Sequence, residues 1–269
     1  MTPEDLLKQG DLNQALQLLQ EQVKKQPSDS EHRIFLFQLL VVMGQWERAL
    51  NQLAVIKELD DSAIAMVLMY RQVIACEQYR EQVFGGKKEP IVLGKPEKWI
   101  ALLIQSLKLI AEDKFDAADA MRKQAFEQAS AIAGTIDDES FGWLADADER
   151  LGPIIEAFID GRYLWTTLDN LNAIVIEEPA DLRDVVWLPA HFSWKNGGEN
   201  YGLIPTRYPF SYQVDPLLAL SRKTVWQETA PDLYVGYGQK MIATDQSEYP
   251  LMQIRAINVT HAEMHDEGA

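Results

Sequence analysis

The residues of this 269-residue chain that could do chemistry are four histidines, one cysteine, two glycine-rich runs and a cluster of carboxylates. His261 and His265 are four apart and would share a helix face with Glu263 nearby, a spacing that can hold a divalent metal. Their surroundings are polar and lack the packing that fixes a ligand set, so no metal is expected. Gly85-Gly86-Lys87-Lys88 has the residue types of a phosphate loop but neither its spacing nor its closing Ser/Thr, and reads as a turn between helices. Gly236-Tyr237-Gly238 lies in a strand-like run and opens no helix, so it offers no amides to a dinucleotide; a bulge or tight packing is expected there. No Gly-x-Ser-x-Gly elbow occurs. Cys76 follows Ile74 and Ala75 on a predicted helix and reads as an inert core thiol. Asp137, Asp138, Glu139, Asp146, Asp148 and Glu149 lack the alternation and central glycine of a calcium loop and read as a solvated acidic linker or helix face. No cofactor is expected. An alternative remains open: a hydrolase or transferase site using Arg183, Asp184 and His191 or Arg207, which requires those groups to converge in a pocket.

Arginines beside aromatic residues are the more distinctive feature: Arg162-Tyr163 with Trp165, Arg183-Asp184 close to Trp187, Arg207-Tyr208, and Arg255. Arginine stacks on rings and binds carboxylates bidentately. The residues therefore form either an exposed recognition surface or internal braces, and the acidic neighbours of several favour bracing.

The elements that must position these groups divide the chain. Residues 1–130 carry 16 basic and 19 acidic side chains; residues 131–269 carry 9 and 22, most of the net charge of −16. So acidic a chain suits neither a nucleic-acid phosphate backbone nor an anionic membrane. Its apolar stretches are too short to span a bilayer, and Met1-Thr2-Pro3-Glu4-Asp5 is acidic where a signal peptide is basic, which predicts a cytoplasmic protein. In the first half Gly10, Leu12, Ala15 and Leu16 recur 34 residues later as Gly44, Trp46, Ala49 and Leu50, the period of a tetratricopeptide helix–turn–helix unit. Ser28 with Glu31 predicts a capping box for the next helix. Phe115 and Ala118 mark a degenerate third unit, after a helix over about 62–84 and another opened by Pro96. Beyond Gly152-Pro153, strands are predicted at 162–166, 184–188, 201–205, 223–227, 233–243 and 249–259, the last two as a hairpin, with short helices at 151–158, 168–174 and 216–220. The expected fold is multi-domain: tetratricopeptide-like repeats over 1–130, an acidic linker or helix over 131–150, and a mainly antiparallel α+β domain over 151–269, the length allowing about two domains each large enough for its own core.

Several motifs together resemble the ImpE family, also called TagJ or SciE-type, of type VI secretion accessory proteins. They are Gly161-Arg162-Tyr163-x-Trp165, Leu182-Arg183-Asp184-x-x-Trp187-x-Pro189-Ala190, Ile204-Pro205-x-Arg207-Tyr208, Gly236-x-Gly238-Gln239 and Leu251-x-x-Ile254-Arg255. Lys240 stands where the resemblance leads one to expect arginine. The resemblance implies a non-enzymatic cytoplasmic adaptor that binds the N-terminal helix of the small contractile-sheath subunit and influences sheath handling by the disassembly ATPase. Helical repeats form grooves that accept such helices. A structural oligomerisation subunit is the other non-enzymatic alternative.

Overall fold

The computed structural model describes residues 2–95, 97–231 and 233–261. The first half runs α1 (Pro3–Gln9), α2 (Leu12–Lys25), α3 (Ser30–Val42), α4 (Trp46–Leu59), α5 (Ile64–Phe84), the short strand β1 (Ile91–Val92), α6 (Lys98–Ala111) and α7 (Phe115–Gln128). Three helix pairs, α1/α2, α3/α4 and α6/α7, share one turn. Asp11 N–H donates to Leu6 O at 2.9 Å, Gln45 N–H to Leu40 O at 2.8 Å and Lys114 N–H to Leu109 O at 2.9 Å. These six-to-one bonds end a helix when the preceding residue turns left-handed, as Gly10 (φ 81°), Gly44 (φ 66°) and Asp113 (φ 58°) do. The third unit thus keeps the turn with aspartate in glycine's place, a residue whose short polar side chain tolerates that region. Ala15, Ala49 and Ala118 are fully buried where the second helix of each pair approaches closely.

The cap expected from Ser28 is displaced by one residue: the Asp29 carboxylate accepts the His32 N–H at 3.1 Å and starts α3. Pro96, expected to open α6, lies outside the described residues, as do Glu263 and His265.

The second half is strand-rich from Gly134 onward: β2 (Gly134–Ile136), β3 (Glu139–Phe141), β4 (Leu144–Asp146), β5 (Ile154–Ile159), β6 (Arg162–Thr167), β7 (Leu171–Ile176), β8 (Trp187–Trp194), β9 (Glu199–Pro205), a short α8 (Pro216–Ala219), β10 (Thr224–Ala230), β11 (Leu233–Gly238), β12 (Met241–Thr244), β13 (Glu248–Pro250) and β14 (Ala256–Val259). Nine strands form one sheet in the order β1-β6-β5-β9-β8-β7-β14-β2-β3, antiparallel except for β1 beside β6. A β10–β11 hairpin and a β13-β12-β4 sheet complete it.

Several expectations are corrected here. The acidic segment 131–150 is neither linker nor helix: β2 and β3 form a hairpin through Asp137 (φ 46°) and Asp138 (φ 72°), with Ile136, Phe141 and Leu144 buried. Two successive left-handed residues make the turn whose twist suits a two-residue hairpin, and the carboxylates sit where that turn favours them. Residues 151–158 hold strand β5 rather than a helix, joined to β6 by the Asp160-Gly161 turn (φ 50° and 69°). Residues 168–174 form one 3-10 turn and then β7. The strand expected from Asp184 begins at Trp187, and the run 233–243 breaks at Gln239-Lys240 into two strands of different sheets.

Side-chain alternation divides the large sheet into two faces. Ile155, Ala157 and Ile159 of β5 join Leu164, Phe192, Ile136 and Ile257 in a core enclosed by the curled sheet. Ile154 and Phe158 point the other way, with Tyr163, Trp165, Trp187 and Leu203, into a core continuous with Leu19, Phe37, Leu53 and Ile74 of the helices. The core of the helical half is therefore continuous with one face of the sheet. Trp187 lies against Trp46 (6.0 Å between ring centroids) and Tyr70 (6.2 Å), and Tyr212 packs edge-on against Trp46 at 5.7 Å.

It follows that the chain unfolds in one transition. A fragment ending at residue 130 is expected to lack a cooperative thermal transition, because it exposes the apolar face that the sheet covers. A fragment melting sharply near the temperature of the whole chain would contradict the shared core.

Candidate functional site

The arginine and aromatic motifs meet at the seam between α5 and the sheet. In the C-terminal half of α5, Glu77, Arg80 and Glu81 are three and four apart and face one side. Arg80 is wholly buried. Its guanidinium grips Glu156 of β5 with two bonds, 2.7 and 2.9 Å, reaches Glu77 at 3.0 Å and donates to the Arg207 carbonyl at 3.2 Å. Glu156 also takes the Lys240 ammonium at 2.5 Å and the Tyr163 hydroxyl at 2.6 Å, and that hydroxyl accepts the Trp165 indole N–H at 2.5 Å. Lys240 continues to Asp146 at 2.6 Å, whose other oxygen accepts the Tyr208 hydroxyl at 2.9 Å. Beyond it, Asp148 holds Arg150 and the Gly236 N–H.

Burial and charge work against each other here. Burial alone raises the Glu156 carboxyl, but Arg80 and Lys240 beside it hold it far below the usual carboxylate range. Asp146 keeps the opposite balance: burial, helped by Asp148, raises it despite Lys240. Arg207 is buried and donates to the carbonyls of Val41, Val42 and Ala219, the negative ends of α3 and α8; burial pushes it down to about 10.

The site residues expected from sequence thus separate into groups. Tyr163, Trp165, Asp184, Trp187, Arg207 and Tyr208 are buried, so they brace the interior and form no exposed surface. Arg183 pairs with Asp181 and lies over the Tyr70 ring at 4.6 Å. Arg255 donates to the carbonyls of Ile254 and Met252. Arg162 is exposed beside the Asp160-Gly161 turn. The hydrolase or transferase constellation does not assemble: Asp184 accepts the N–H groups of Ala180 and Asp181, His191 stands by Glu199 and the Tyr201 ring, and Arg207 caps helices. Gly236 sits in a strand where a Cβ would come within 2.5 Å of the Tyr208 ring, the tight packing expected there. Cys76 is buried, and burial pushes its thiol up to about 12. Among the described residues no cluster of His, Cys, Asp or Glu could hold a metal. His261 instead contacts the Leu171 carbonyl at 2.8 Å. No helix among them is long and apolar enough to cross a membrane. Sequence reading passed over Glu77, Arg80, Glu81 and Glu156; the signal was Glu77 and Arg80 at the helical spacing of the buried apolar residues Val73, Ile74 and Phe84.

The grooves expected on the helices are also filled from within. Trp187 occupies the space between α4 and α5, and Tyr212 lies so close to Gly44 that a Cβ would fall 2.3 Å from its ring. Half-open clefts remain elsewhere among the described residues. One, of about 570 Å³, lies between segment 129–132, β4 and the turn at Leu168. Another, of about 430 Å³, is lined by Gln78, Glu81, Gln82, Gly85, Lys87 and Phe210. A further one, of about 300 Å³, lies between α5 and the sheet beside Tyr201.

Fold and seam together define a tetratricopeptide-type helical array joined through a shared core and a buried ion network to a curled antiparallel sheet. The tetratricopeptide repeat model matches residues 6–68, and the ImpE protein model matches residues 138–258. The chain is 48% identical over 259 residues to the type VI secretion system accessory component TagJ of Pseudomonas aeruginosa, covering 96% of this chain and 91% of that one. The crystal structure of protein VPA1032 from Vibrio parahaemolyticus has the same fold, with a TM-score of 0.91 at 26% identity over 97% of this chain and 98% of that one. The chain belongs to the ImpE family.

Replacing Glu156 by glutamine leaves Arg80 and Lys240 buried with one countercharge fewer, an expected loss of about 3–5 kcal/mol at pH 7. The folded chain holds Glu156 ionised more firmly than the unfolded chain does. Its stabilisation is therefore complete above the unfolded value of about 4.3 and declines as pH falls below it. Urea unfolding of both proteins at neutral pH and near pH 3.5 should show the gap narrowing on the acid side; a constant gap would contradict this assignment.

Proposed function

We propose that this chain is a non-enzymatic cytoplasmic adaptor of type VI secretion. It binds the N-terminal helix of the small contractile-sheath subunit and so influences how the disassembly ATPase handles the sheath. The observation carrying this reading is the nearly end-to-end match to the TagJ accessory component. The interior supports it: the polar groups that sequence alone offered as a reaction centre are held apart, Arg183 by Asp181, Asp184 by backbone N–H groups and Arg207 by helix ends, while the clefts beside Leu168 and Tyr201 are lined mainly by apolar side chains. An acidic receptor also steers a basic partner helix and accelerates encounter.

Purified chain immobilised at about 100 μM, where contacts worth about 5 kcal/mol register, is expected to retain the small sheath subunit. It should lose that subunit when its first helix is deleted. Equal retention of the truncated subunit, or none of the intact one, would count against the reading.

A further inference from the structure

On the face of the sheet that meets α5, strands β5, β9, β8 and β7 lie side by side, and a half-open cleft of about 300 Å³ remains between them and the helix. We propose that this cleft binds an extended segment of another protein in which one apolar residue stands between two lysines or arginines. The cleft's own chemistry defines this surface, whichever protein carries the segment, so it stands apart from the sheath-subunit reading.

Strand register builds the floor. Phe158, Leu203 and Pro189 are aligned across β5, β9 and β8, and the Glu177 N–H donates to the Pro189 carbonyl at 3.0 Å, so these four residues form one cross-strand row. Two residues along each strand, on the same face, the next row runs through Tyr201, His191 and Val175, with Asp160 coming beside Tyr201 where β5 turns. Met69 and Val73 of α5 close the cleft from the other side. Tyr201 is 77% exposed, the most of any large apolar side chain among the described residues, and Val175 and Met69 are exposed as well. A patch of this kind gains most from a partner that completes the burial of its aromatic ring.

Charge selects the occupant. Asp160 and Glu177 belong to the lining, and no lysine, arginine or histidine does. Neither carboxylate has a salt-bridge partner among the described residues, and His191 on the neighbouring row already faces Glu199 at 3.4 Å. The two carboxylates stand at opposite ends of the floor, three strand spacings or about 14 Å apart. That is close to the span of residues i and i+4 in an extended segment, which point to the same face as the residue i+2 between them. A segment reading basic-x-apolar-x-basic therefore lays its central side chain on the floor and brings a cation to each carboxylate, one of them against the Tyr201 ring.

The other clefts leave no charge unanswered in this way. Beside Leu168, Asp146, Glu149 and Asp169 pair with Lys240, Arg122 and Lys195, and Glu97 accepts the Trp99 indole N–H. The cleft of about 430 Å³ has Lys87 in its own lining.

The test titrates the whole chain, to about 1 mM, against three fluorescent peptides followed by anisotropy. One carries an Arg-Ser-Leu-Ser-Arg core; the second has glutamate for both arginines, and the third has serine for leucine. The first is expected to bind, and the other two about tenfold more weakly or not at all. Asp160→Asn and Glu177→Gln should each weaken the first peptide about threefold, and Tyr201→Ala about tenfold. All three positions are exposed, and asparagine tolerates the left-handed backbone of Asp160 (φ 50°), so the fold is retained. Trp143→Ala, in the cleft beside Leu168, should change nothing. Absence of binding by the first peptide would overturn the proposal, as would equal binding of either counterpart or binding indifferent to the three variants. A dimer of the chain dissolved by Tyr201→Ala would also overturn it, since the surface would then belong to a second copy.

Discussion

The bidentate pair between Arg80 and Glu156 is the constraint on which the rest of the arrangement depends. Both side chains are essentially without solvent contact, and they lie on elements 76 residues apart in sequence. Taking two such charges out of water is unfavourable unless every donor and acceptor is matched. That requirement draws in Glu77, Lys240 and Tyr163, and through Lys240 it extends to Asp146 and Tyr208. A helix register shifted by one residue on α5, or a strand slipped by one on β5, would turn a charge into the apolar core. The network therefore specifies how α5 and the sheet meet, whatever its net contribution to stability.

The repeats were legible because their signals are local. Glycine, a large apolar residue and alanine at fixed offsets state a helix end, a packing ridge and a close approach, and Gly10, Gly44, Ala15 and Ala49 play those parts. Their third occurrence was harder to see only because Asp113 replaces the glycine. The arginine motifs were legible as residue types, and their acidic neighbours pointed toward bracing. Their partners were not legible: Arg207 finds the carbonyls of Val41 and Val42 about 165 residues away, and nothing near it in sequence announces a helix end.

The second half was misread where polarity and strand geometry coincide. Asp137 and Asp138 look like part of a solvated charge run, but they occupy the two positions of a tight hairpin, and the Asp137 carboxylate also receives the N–H groups of Arg255 and Ala256. Asp160-Gly161 is a direct hairpin signal between two apolar runs. Reading Leu151 to Phe158 as a helix overlooked that a strand buried on both faces shows no alternation. Ile154 to Ile159 is such a strand, with helices on one side and the curled sheet's interior on the other.

Strand β1 is only two residues long, yet it lies along β6 at the sheet's edge, and the chain leaves it by way of Leu93, whose N–H reaches the Trp165 carbonyl at 2.8 Å. It interrupts the path from α5 to α6, so the polypeptide crosses to the sheet and back in mid-array. Under tension between the two layers, this stitch and the Arg80 clasp would share the load side by side and would have to give way together. The two layers are thus held at two separate places, and prising them apart would break both.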